Sequence, residues 1–145
     1  MNDYDEAIEV LSEPEALELL ASQHLGRLVE RVGDRVEIFP INYVVDGDRL
    51  IFRTAPGTKL AGIVAADEIL VETDRVTTDE AWSVIARGHA SILEREDELA
   101  RAEQLDLRPL IPTVKRVFVA ITVDSITGRR FHRGEEPEAL PETIA

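Results

Sequence analysis

Apolar and polar positions alternate with a period of two through most of the chain's middle, a pattern that predicts half-buried strands. Gly26 to Val32 is one such run, and Gly33-Asp34 behind it reads as a hairpin turn. Val36 to Val45 is a second run, closed by Asp46-Gly47-Asp48, and Arg49 to Arg53 is a third. Ile69 to Thr73 forms a short strand, and Thr77 to Glu80 a polar connection. From Ala81 to Leu93, Trp82, Val84, Ala86, Ala90 and Ile92 share one face with Gly88 among them. The other face mixes Ser83, Ile85, Arg87, His89, Ser91 and Leu93, which suits a strand in a curved sheet. Lys115 to Ile126 alternates last, with Val117, Val119, Ile121 and Val123 on one side.

Helical signals lie between and before these runs. Ser12-Glu13-Pro14-Glu15 reads as a capping box with proline in the first turn, opening a helix that ends between Ser22 and Leu25. Leu60 to Ala66 and Glu94 to Leu105 also read as helix, the second stopped by Pro109 and Pro112. Gly128 to Arg133 reads as a basic tail, and no structure is expected from Gly134 onward. Six strands on short turns with peripheral helices predict a mainly β, antiparallel barrel. It forms one domain with its core over residues 13–133 and a flexible tail over 134–145.

Composition narrows the function classes. At 145 residues and 44% hydrophobic, the chain is long enough to bury one sizeable core. Its net charge of -13 argues against a general nucleic-acid or anionic-membrane surface. With no cysteine there are no disulfides, thiolate metal sites or cysteine nucleophiles. The acidic start, Met1 to Glu6, does not resemble a signal peptide, and no apolar run approaches the ~20 residues of a membrane helix. A cytoplasmic location is expected.

Against that acidic background, Arg53-Thr54-Ala55-Pro56-Gly57-Thr58-Lys59-Leu60 gathers two cations, two hydroxyls and a Pro-Gly turn. Lysine occurs only at Lys59 and Lys115, so its presence here is conspicuous. Pro56-Gly57 fits a type II turn, and Thr58 is placed to cap the following helix, whose first amides favour anions. Arg53 supplies a planar fork and Lys59 a point charge, two complementary ways to hold a phosphate. Spacing alone supports equally an ordinary strand-turn-helix connection with solvated charges. The stretch is not a nucleotide P-loop, because the Gly-Lys-Ser/Thr ending is absent. His24, His89 and His132 stand at no metal-ligand spacing, and no serine sits in a nucleophile elbow. His89 is expected at a hydrogen-bonded barrel position, and Trp82 in core or interface.

Gly26-Arg27-Leu28, Pro40-Ile41-Asn42-Tyr43, Asp46 to Thr54, Gly57-Thr58-Lys59-Leu60 and Trp82 to Gly88, taken in order, resemble the pyridoxamine 5'-phosphate oxidase-like flavin-binding split barrels. The similarity is to their short actinobacterial, nitroimidazole-resistance-like branch, and it spans roughly Glu13 to Arg133. The resemblance implies an FMN-binding antiparallel split β-barrel, a homodimer with cofactor at the subunit interface, and electron or hydride transfer to a small oxidised substrate. It implies a phosphate held by Arg53, Thr54, Thr58 and Lys59, with Leu60 behind them, and an isoalloxazine ring along the backbone of Phe39, Pro40, Ile41 and Asn42. Trp82 and Ser83 are implied cofactor contacts, and the tail Arg129 to His132 is placed to reach the partner's site. The motif of true pyridoxamine phosphate oxidases for their substrate phosphate is missing, which argues against that activity. Two alternatives remain open: a reductase using a deazaflavin coenzyme, and a non-catalytic cofactor- or haem-binding module. No catalytic acid or base is assigned.

Overall fold

The structure is a computed structural model that describes residues 7–107 and 117–134. Lys115 and the expected tail beyond Gly134 lie outside the described residues. Seven strands and three helices follow one another as β1 (Ile8–Val10), α1 (Glu13–Ala21), β2 (Leu25–Val32), β3 (Arg35–Asp46), β4 (Arg49–Thr54), α2 (Thr58–Ala65), β5 (Glu68–Val76), β6 (Glu80–Ile92), α3 (Glu96–Glu103) and β7 (Val117–His132). The strand order is β1-β7-β4-β3-β2-β5-β6, and β6 pairs back onto β7. Every pairing is antiparallel, so β2 to β7 close a ring and the antiparallel barrel expected from the alternation is observed.

Two elements differ from expectation. β1 carries no alternation of its own and forms by pairing Ile8, Glu9 and Val10 with Phe131, Arg130 and Arg129. The basic stretch Gly128 to Arg133 is therefore mostly not a tail. Through His132 it continues β7, held on one side by β1 and on the other by β6. Arg130 finds carboxylate neighbours in Glu9 and Glu80, each at 3.6 Å, which lets its charge sit on a paired strand.

The inward rows build one core. Leu28, Ile41, Tyr43, Leu50, Phe52, Val71, Trp82, Val84, Val119 and Ile121 pack with Ala16 and Leu20 of α1 and with Leu60 and Ile63 of α2. Ser12 caps α1 as expected, with its Oγ accepting from the Glu15 amide and the Glu15 carboxylate accepting from the Ser12 amide. β2 begins beside α1, where Tyr43 N–H donates to the His24 carbonyl and Tyr43 Oη donates to the Leu20 carbonyl at 2.6 Å. It ends beside α2, so the two helices close opposite ends of the barrel. α3 instead covers the outside of β4 and β7, where Ile51, Leu93, Ala102, Phe118 and Ala120 form a second cluster. Among the described residues no helix is long and apolar enough to cross a membrane.

Candidate functional site

The turn after β4 brings its cations to two different surfaces. Residues 53 and 54 still belong to β4, so their side chains alternate. Thr54 points inward and is buried, while Arg53 points outward and stacks on Phe118, its register partner on β7, with the guanidinium carbon 4.9 Å from the ring centroid. The Pro-Gly turn is not of type II. Gly57 lies at φ 153° and ψ -167°, far from the values near +80° and 0° of that turn's third position. Gly57, not Thr58, is the N-cap of α2, and no side chain caps the helix. Thr58 is the first helical residue, with its side chain exposed beside Lys59.

Lys59 reaches across to β3, where its Nζ sits 4.2 Å from the centroid of the Phe39 ring. Thr58, Lys59 and Phe39 share the wall of a cleft of about 750 Å3 between α2 and the β2–β3 hairpin. Glu30, Val32, Arg35, Glu37, Ile38 and Gly62 complete the lining. This volume falls within the ~300–1,000 Å3 range of small-molecule sites.

Other expected positions are distributed around the barrel. Ile41 and Leu60 are core residues, and Pro40 is exposed on the outer face of β3. Asn42 is half-buried, and its Oδ1 is a buried acceptor with no hydrogen-bond partner among the described residues. Trp82 is buried in the core and Ser83 half-buried on the opposite face of β6. Within one chain β6 is separated from β3 by β2 and β5, and from β4 by β7, so these two residues do not join the cleft. His89 is exposed on β6 and pairs through Nδ1 with Asp124.

The cleft has an acidic floor that no sequence motif marks. Gly26, Leu28 and Glu30 occupy successive inward positions of β2, and Glu30 is only 5% exposed. Its Oε2 has no hydrogen-bond partner among the described residues. Glu37 stands directly opposite on β3, its Oε1 accepting from Arg35 Nε at 2.8 Å. The signal was present: strict alternation places residue 30 on the same face as Leu28, where a carboxylate is out of character.

Burial raises the Glu30 pKa above the usual glutamate range, the Glu37 charge adds to the rise, and Lys59 opposes it. In the unfolded chain this carboxyl ionises at the ordinary value, so rising pH takes its proton from the unfolded state first. Stability therefore falls as pH rises from the ordinary glutamate pKa through the raised folded value. Glu30→Gln should accordingly stabilise the ligand-free protein at pH 7 and lose that advantage towards pH 4. Urea midpoints at the two pH values, at unchanged slope, check this.

The fold and the site define a closed antiparallel barrel with a cationic strand-turn-helix connection at the mouth of a cleft. A family model described as pyridoxamine 5'-phosphate oxidase matches residues 12–130. The chain belongs to that family. A Corynebacterium glutamicum protein named for pyridoxamine 5'-phosphate oxidase is 43% identical, with 94% of this chain and 99% of that one covered at a TM-score of 0.83. The FAD binding protein from Mycobacterium smegmatis is 40% identical, with 86% of this chain and 98% of that one covered at a TM-score of 0.75. An uncharacterized Mycobacterium tuberculosis protein is 38% identical over 95 residues, 66% of this chain and 86% of its own length.

Proposed function

We propose that this chain is a flavin-binding protein that passes electrons or hydride to a small oxidised substrate. The observation that carries the reading is Lys59 held over Phe39 beside Thr58, at the mouth of the cleft. A cation, a hydroxyl and the open amides at the start of α2 together suit a phosphate. The flavin's ring system would lie along the backbone of β3 from Phe39 towards Asn42. When bound, the flavin supplies the redox chemistry, and the protein binds and orients it. FMN and FAD both carry the required phosphate. The name of the 40% identical M. smegmatis relative favours FAD.

A homodimer belongs to the same proposal. Ile38, Val29 and Leu70 form one cross-strand row on the outer face, with Val36 beside it. Ile38 is 65% and Val36 54% exposed, an apolar surface that a second copy would cover. The test is an absorbance spectrum of the purified protein followed by titration with FMN, FAD and a deazaflavin coenzyme, with light scattering on the same sample. Flavin absorbance and a dimeric mass are expected. Binding of the deazaflavin with no affinity for either flavin would overturn the cofactor, and a monomer at micromolar concentration the shared interface.

A further inference from the structure

We infer that the cleft beyond Lys59 receives the adenosine monophosphate half of a flavin dinucleotide, with the Glu30 carboxylate accepting hydrogen bonds from the ribose hydroxyls. The inference rests on the reading that the chain binds a flavin, and it assigns the part of the site that FMN would leave empty.

The order of residues along β3 sets the direction. Phe39 lies under Lys59, and the positions expected to carry the ring, Pro40 to Asn42, run one way from that point. Glu37 and Arg35 run the other way, towards the hairpin tip, and both line the cleft. A phosphate at Lys59 therefore has the ring system on one side and a lined volume on the other. A mononucleotide ends at the phosphate, whereas a dinucleotide continues into that volume.

The floor of the cleft has the chemistry for a sugar. The Glu30 side chain is almost wholly buried with one oxygen unpartnered among the described residues, a costly arrangement unless a ligand donor completes it. Gly62 of α2 makes the room: a Cβ there would stand 2.5 Å from Glu30 Oε1. The opposing Glu37 is already engaged by Arg35, so Glu30 is the acceptor left for a diol, the group that a carboxylate commonly holds in nucleotide sites. Phosphates are repelled from this acidic end and drawn to Lys59 and Thr58, which fixes the orientation of the dinucleotide.

Calorimetry of the full chain with FAD and with FMN, at one salt concentration, tests the assignment. FAD should bind the parent about tenfold more tightly than FMN or better. Glu30→Gln should weaken FAD by about tenfold, the cost of one charge-assisted hydrogen bond, and should not weaken FMN. Val32→Trp, which fills the cleft from the hairpin, should likewise remove the preference for FAD while sparing FMN. Equal affinities for the two flavins in the parent, or equal losses of both in Glu30→Gln, would overturn the adenosine subsite and leave flavin binding standing. Failure of the parent to bind either flavin would remove the flavin reading, and this inference with it.

Discussion

Gly88→Ala is expected to cost the fold about 3 kcal/mol, at the top of the usual range for overpacking, and to do so through backbone rather than side-chain contact. A Cβ at residue 88 would stand 1.9 Å from the Thr122 carbonyl oxygen and 2.9 Å from its carbonyl carbon. A flexible side chain would swing away, but Thr122 cannot. It is paired at once with Arg49 of β4 and His89 of β6, so moving it breaks the ladder on both sides. The close approach arises at an irregularity. Arg87 pairs with Ser125 and Gly88 with Val123, leaving Asp124 as the extra residue of a bulge on β7. Urea unfolding of Gly88→Ala should show a lower midpoint at unchanged slope, or no folded baseline at all. Ser91→Ala on the same strand, with an exposed side chain, should stay within about 0.5 kcal/mol. A Gly88→Ala variant equally close to the parent would show that β7 does not pass where the structure places it.

The same substitution should reach the cleft. Gly88 pairs with Ile69, Ile69 with Glu30, and Glu30 with Glu37, so one inward row runs from the bulge to the acidic floor. Displacing its first member tilts the strand that presents Glu30 to Gly62.

What the sequence made legible follows from how local each signal is. The β6 alternation from Trp82 to Ala86 appears unchanged as buried positions, because its period reflects a single packed face. Ser12 and Glu15 cap α1 because the capping box needs only its own four residues. β1 could not be read, since its three residues carry no pattern and become a strand only because Arg129 to Phe131 offer an edge. The same long-range pairing converts the basic stretch at the end of β7 from an apparent tail into strand. At the site, the cationic turn was legible by composition, whereas its capping was not: the cap passes to Gly57 and leaves Thr58 inside the helix. Glu30 was hidden for the opposite reason. Its position in the alternation was plain, but in so acidic a chain one more glutamate reads as solvated surface until the barrel closes around it.

Lys59→Ala carries the largest expected effect on binding, because it removes the one lysine at the turn without touching the core. Lys59 is exposed at the second position of α2, and alanine is at least as good a helix former, so the fold should persist. A charge-assisted hydrogen bond to phosphate contributes on the order of 1.5–3 kcal/mol, a roughly ten- to 150-fold loss of flavin affinity. Phe39 holds the ammonium in place, so Phe39→Leu should weaken binding by a smaller factor, about threefold for a cation–π contact at an exposed site. Riboflavin, which lacks the phosphate, should bind the parent weakly and be nearly indifferent to Lys59→Ala. Arg53 lies on the other surface, its guanidinium carbon 4.9 Å from the centroid of the Phe118 ring, so Arg53→Lys should leave flavin affinity close to the parent's. If Lys59 were only a solvated charge on a connecting turn, Lys59→Ala would not alter affinity either, as is usual for surface cations. Equal dissociation constants of the parent and Lys59→Ala for a phosphorylated flavin, measured by calorimetry at one salt concentration, would move the phosphate away from this turn.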